Sequence, residues 1–123
     1  MKTVLVLEDE SSLLKLRQHI PNQFSLIEAT TAEQALLQFI GHGRQVDLLV
    51  ADLTLPASSG IQVALLLRAE IPDLPVILTS GSPVSDWTGR DYTDLERLGS
   101  TSVALLSRPF QAQVISDEIR KLV

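Results

Sequence analysis

Short runs of Val, Ile and Leu recur along this chain, and between them the apolar residues repeat at the three-to-four spacing of a helix. That alternation constrains the fold more than any other feature. The runs at 4–7, 24–29, 46–51, 76–78 and 103–106 read as strands. Residues 11–20, a segment opening at Thr30 or Thr31, and 61–69, 91–98 and 111–123 read as helices. Most of the runs are nearly continuous rather than alternating, so both faces of the sheet must be covered, and such sheets are parallel. In the first helix Leu13, Leu14, Leu16 and Ile20 carry the pattern; in the second, Ala35, Leu36, Phe39 and Ile40 are expected to face the core. Leu65, Leu66 and Leu67 read as helix core with one of the three turned outward. Asp91, Asp94 and Glu96 read as a solvated helix face.

Composition excludes several function classes. The chain has no Cys, so disulfides, zinc thiolates, iron–sulfur clusters and thiol catalysis are out. Asp and Glu number 15 against 10 Lys and Arg, a balance that argues against gripping DNA or anionic lipid. Charged and polar residues interrupt every apolar stretch well before the length of a membrane span, and Val4 to Leu7 is too short for a signal peptide. A chain of 123 residues can bury roughly two-thirds of its unfolded surface, enough for one core. With no linker, repeat or low-complexity tract, residues 1–123 read as a single cytoplasmic domain.

In open α/β sheets, ligands bind beyond the C-terminal strand ends, near the point where the strand order reverses. The first run is followed by Glu8, Asp9 and Glu10, the third by Asp52, the fourth by Thr79 and Ser80, the fifth by Ser107, Arg108 and Pro109. Each has an ordinary explanation: a helix cap, a turn residue, a strand residue, a surface cation. Their convergence on one sheet end does not. Clustered carboxylates repel, and at least one is expected to hold a proton unless a cation intervenes. Mg²⁺ takes such carboxylates together with waters and phosphate oxygens, so the residues describe a cation pocket with an anionic substrate.

The set Glu8-Asp9-Glu10, Asp52-Leu53-Thr54-Leu55-Pro56 with Gly60, Thr79-Ser80-Gly81 and Arg108-Pro109-Phe110 resembles the receiver domain of two-component response regulators, in order and over essentially the whole chain. The resemblance implies a flavodoxin-like (βα)5 doubly wound parallel sheet of strand order 2-1-3-4-5. It implies Asp52 as the phosphoacceptor, attacking a phosphohistidine presented by a histidine kinase or phosphotransfer protein. It implies Mg²⁺ held by Asp9, Asp52 and the Thr54 carbonyl, with Glu8 acting through a coordinated water. Thr79 would swing toward the phosphoryl group, and Pro109 would follow a cis peptide bond. Such a protein catalyses only its own phosphorylation and dephosphorylation, and a homodimer is one assembly it allows.

Some positions depart from the pattern. Arg108 stands where the family has Lys, and a planar fork is not a compact ammonium. Its length leads us to expect it partly outside the pocket, pairing with Asp52 or a neighbouring carboxylate only after phosphorylation. Leu105 replaces the usual aromatic, so a hydroxyl-bearing rotamer switch cannot operate there. The segment 81–89 reads as a long loop in place of the start of the fourth helix, with Trp87 as a loop anchor. Residues 72–81 are similar to receivers cut from hybrid kinases. These departures keep a pseudo-receiver, an interaction module that is never phosphorylated, as the alternative. An aspartyl-phosphate phosphatase would need a second Asp where Thr54 stands, and a flavin phosphate would be repelled by residues 8–10. His19 and His42 lie far in sequence from any carboxylate pair and are assigned no role.

Overall fold

The computed structural model describes residues 1–53, 55, 59–81, 88–108 and 111–123. The elements alternate without exception: β1 (Thr3–Leu7), α1 (Glu10–Arg17), β2 (Ser25–Ala29), α2 (Ala32–Gly41), β3 (Leu48–Asp52), α3 (Gly60–Glu70), β4 (Val76–Ser80), α4 (Gly89–Leu98), β5 (Val103–Ser107) and α5 (Ala112–Leu122). The five strands form one parallel sheet in the order β2-β1-β3-β4-β5. Leu7 lies in register with Ala29 on one side and Ala51 on the other. The order reverses between β1 and β3, so their C-terminal ends flank the crevice.

The period of two along β1 divides the core. Leu5 and Leu7 join Ala35 and Phe39 of α2, Val63 and Leu67 of α3, and Leu98 of α4. Val4 and Val6 face the other way, onto Leu13 and Leu16 of α1 and Ile115 and Ile119 of α5. A sheet covered on both faces explains why the central strands carry no polar alternation.

Several expectations shift on close view. The first helix ends at Arg17; Ile20 is still buried, but from the turn that follows. Leu14 and Ile40 are exposed, one position off the buried stripe of each helix. Thr31, not Thr30, caps α2, its Oγ1 accepting from Gln34 N at 3.1 Å. Leu66 is the member of its triplet that turns outward. Asp91 is a capping residue: its Oδ2 accepts from Thr88 N at 2.9 Å while Thr88 Oγ1 accepts from Asp91 N at 3.2 Å. Asp94 is buried and Asp91 half-buried, so of the expected solvated acidic face only Glu96 is exposed. The helix begins at Gly89, two residues before its expected start. Trp87 and most of the 81–89 segment lie outside the described residues, as do Thr54 and Pro109.

Arg68 ties the far ends of α3 and α4 together. Its Nε donates to Leu74 O at 2.9 Å, Nη1 to Leu98 O at 2.7 Å and Nη2 to Thr101 O at 2.9 Å. Leu98 is the last residue of α4, so the guanidinium satisfies a terminal carbonyl and complements the negative end of the helix.

Candidate functional site

Four strand ends and two helix starts meet at the C-terminal edge of the sheet. β1 delivers Glu8, whose backbone N–H donates to Ala29 O at 3.2 Å and so prolongs the β1–β2 ladder by one residue. β3 ends at Asp52, in register with Thr79 of β4. Leu53 N donates to Thr79 O at 2.8 Å, and Arg108 N to Ser80 O at 2.7 Å, which carries the ladder past β5. Backbone pairing, not side-chain packing, fixes where these residues stand.

Gly60 opens α3 directly beneath Asp52. A Cβ there would collide with the Asp52 carbonyl oxygen and come within 2.9 Å of Ala51 Cβ. Only glycine lets the helix start this close to the strand.

Glu8 and Thr79 are fully buried, and Asp52 is 2% exposed. Thr79 Oγ1 donates to Glu8 Oε1 at 2.5 Å. Burial pushes the Glu8 carboxyl up to about 8, against the Thr79 hydrogen bond, which lowers it; the negative charge of Asp52 adds to the rise. Glu8 is therefore the member of the acidic cluster whose protonated form is favoured, chiefly by burial and further by the charge of Asp52. Its Oε2 is buried with no hydrogen-bond partner.

Arg108 corrects the expectation that it waits outside. Its Nη2 donates to Asp52 Oδ2 at 3.0 Å and its Nη1 to Ser12 Oγ at 2.8 Å, with Glu8 Oε2 at 3.8 Å from Nη1. Its side chain is only 28% exposed. Two residues make room for the fork. Ser12, in the first turn of α1, supplies an acceptor; Gly81 supplies space, since a Cβ there would lie 3.0 Å from Nη2. Sequence reasoning missed Ser12. The available signal was its place in a helix turn that directly follows the acidic residues.

Asp9 is exposed and caps α1, its Oδ1 accepting from Ser12 N at 2.8 Å. That bond holds its carboxyl below the usual range, so Asp9 stays ionised. The structure thus brings Glu8, Asp52, Thr79 and Arg108 together and sets Asp9 at their edge, on the helix cap. Among the described residues, no group of three or more His, Cys, Asp or Glu side chains is gathered closely enough to hold a metal ion. The oxygens present are nevertheless of the hard type that a small divalent cation takes. No helix among the described residues is long and apolar enough to cross a membrane.

A family model for the response regulator receiver domain matches residues 4–119. The response regulator GtcR of Aneurinibacillus migulanus is 32% identical over 111 residues, which cover 89% of this chain and 42% of that protein. The chain thus spans less than half the length of that relative. The solved response regulator receiver domain protein (CheY-like) of Methanospirillum hungatei superposes with a TM-score of 0.79 at 18% identity, covering 99% of this chain and 94% of that one. The signal receiver domain of an HD domain-containing protein from Pseudomonas fluorescens gives 0.76 at 24% identity, covering 98% and 92%. At these identities the structural matches speak for the fold; the family match, over nearly the whole chain, places this protein in the response regulator receiver domain family of two-component signalling.

Proposed function

We propose that the chain accepts a phosphoryl group on Asp52 and passes the signal on through the resulting change of shape. The observation that carries this reading is Asp52 itself: a nearly buried carboxylate at the end of a central strand, faced by a cation at 3.0 Å. An Asp52 oxygen attacks the phosphorus of a phosphohistidine, the N–P bond breaks, and the imidazole leaves with the electron pair; an acyl phosphate results. Arg108 must yield its grip on Asp52 Oδ2 for that attack, and its fork is then placed to donate two parallel bonds to the phosphoryl oxygens. Thr79 must release Glu8 before its hydroxyl can turn to the phosphoryl group. Changing partners at Thr79 and Arg108 links the chemistry to β4 and β5.

Glu8, Asp9 and Asp52, with the backbone carbonyl of Thr54 outside the described residues, would hold Mg²⁺. Bound there, the ion would neutralise charge on the phosphoryl oxygens. The donor set supports the fit: the carboxyl oxygens of Glu8, Asp9 and Asp52 are the hard oxygens that Mg²⁺ takes, and Glu8 would shed on binding the ion the proton that it otherwise keeps. The donor would be a histidine kinase or phosphotransfer protein and the setting cytoplasmic. The chain catalyses only its own phosphorylation and dephosphorylation, with residues 1–123 acting as one domain.

One observation favours the pseudo-receiver reading: Arg108 already pairs with Asp52, seated by Ser12 and Gly81. The two readings separate when the protein is treated with a small acyl phosphate and Mg²⁺ and weighed intact. A single labile phosphoryl adduct, absent in Asp52→Asn, is expected. An adduct that persists in the variant moves the nucleophile elsewhere; no adduct on the parent chain favours the pseudo-receiver.

A further inference from the structure

A groove of about 400 Å³ runs between α3 and α4, away from the acidic pocket. Leu65 and Leu66 floor it, Gln62 stands on the α3 side, and Arg90, Asp94 and Arg97 of α4 form its rim. Leu66 is 54% exposed although its neighbour Leu67 is fully buried. The two arginine side chains are 77% and 68% exposed and flank Asp94 at 3.8 and 3.7 Å, distances too long for hydrogen bonds. The buried carboxylate is therefore compensated in charge without engaging the guanidinium donors. In the amide orientation that satisfies both groups, Gln62 Oε1 accepts from Arg90 Nη2 and Nε at 2.9 and 3.0 Å. Arg97 makes no hydrogen bond among the described residues. Two arginines against one carboxylate leave the rim positive on a chain whose formal net charge is −5.

We propose that this groove docks an amphipathic helix of a partner protein, one that sets an aliphatic side chain on Leu66 and carboxylates on Arg90 and Arg97. Charge decides the occupant: a basic helix is repelled by the rim, whereas an acidic one meets the Arg97 guanidinium and the charge of Arg90, whose Nε and Nη2 already bond Gln62. Spacing sharpens it. Arg90 and Arg97 stand seven residues apart on α4, about 10 Å or two turns, so the partner's carboxylates must recur about every two turns with the aliphatic anchor between them. The surface shares no lining residue with the Asp52 pocket.

The test titrates the isotope-labelled full chain with a synthetic helical peptide of about four turns, carrying Leu between two Glu seven residues apart. A second peptide has Lys at both Glu positions. Amide shifts are expected at 62–66 and 90–97 with the acidic peptide, weakening as salt rises, and none with the basic one. Arg97→Glu and Leu66→Ala alter exposed side chains, and thermal melting checks that both variants fold. Each is expected to weaken binding about tenfold or more, while Asp52→Asn binds like the parent. Equal binding of the two peptides, no binding of the acidic one, or an Arg97→Glu variant that binds normally overturns the proposal. So does loss of binding in Asp52→Asn, which would put the peptide in the pocket, or sedimentation showing a second copy of the chain in the groove.

Discussion

β3 and β5 have the same length and pair with the same neighbour, β4, yet they live in different surroundings. Every residue of β3 is buried, from Leu48 to Asp52. In β5 no residue is fully buried, and Leu105 is 40% exposed. β3 delivers the carboxylate at the heart of the site and is clamped by strands on both sides and helices on both faces. β5 is the edge strand that delivers Arg108. The acceptor of the proposed chemistry stands on a rigid strand and its cation on a looser one, so movement is cheaper on the cation's side.

The sharpest way to break that contrast is at Gly60. Gly60→Ala forces a Cβ into the backbone of Asp52 and is expected to cost about 3 kcal/mol or more in urea unfolding. A variant of near-parental stability would show that the end of β3 yields as readily as that of β5. Paired truncations compare the strands directly. Leu49→Ala, at a fully buried position, should cost about 2–5 kcal/mol, and Leu105→Ala less than about 1 kcal/mol. Equal costs would erase the difference.

Acidity provides a test specific to the pocket. Glu8 titrates near 8 in the folded chain, against an ordinary value of 4.5. The folded state therefore holds its proton more tightly, and the stabilisation is full below 4.5. It is lost as pH rises through about 8, at a slope of up to about 1.4 kcal/mol per pH unit. Asp9 acts in the opposite sense, contributing above its ordinary value of 3.8 and losing that contribution as pH falls below it. Glu8→Gln should flatten the decline between pH 5 and 8 in a series of urea titrations. An unchanged slope would place its cause outside the pocket.

Smaller effects test the α4 side. Arg68→Ala removes three donors, two from carbonyls at the C-terminal end of α4 and one from Leu74 before β4, for about 2 kcal/mol, with faster amide exchange expected in 98–101. Thr88→Ala removes half of the capping box, for about 1 kcal/mol, read from the shift in unfolding midpoint. If Thr88→Ala costs more than Arg68→Ala, α4 is anchored at its N-terminal end instead.

The central strands were legible because burial on both faces leaves no freedom of residue type: Val4 to Leu7 can be little else. The strand-end positions of Asp52 and Thr79 were legible for the complementary reason, as the first polar groups where an apolar run stops, and Arg108 stands one residue beyond Ser107, where the fifth run stops. Asp94 was not legible. A carboxylate on a helix reads as solvated until the neighbouring helix is known, and its burial depends on what α3 sets against it. The seat of Arg108 was also hidden. Ser12 lies 96 residues away in sequence, and the space above Gly81 is a property of three dimensions. The exposure of Leu14 and Ile40 failed on geometry, since neighbouring positions on a short helix differ by about 100° and either could have faced inward.

The pocket draws on residues 8, 12, 52, 79 and 108, nearly the full span of the chain. During synthesis at about 5–20 residues per second, the first carboxylate leaves the ribosome many seconds before the last cation. Until then Asp52 has no Arg108 to face it, and β3 lacks β4 beside it. A fragment that stops before Arg108 cannot assemble the pocket. On the proposed reading a nascent or partly unfolded chain is inert to a phosphodonor rather than wrongly switched on, and the spread of these residues along the sequence would make phosphorylation conditional on completion of the sheet.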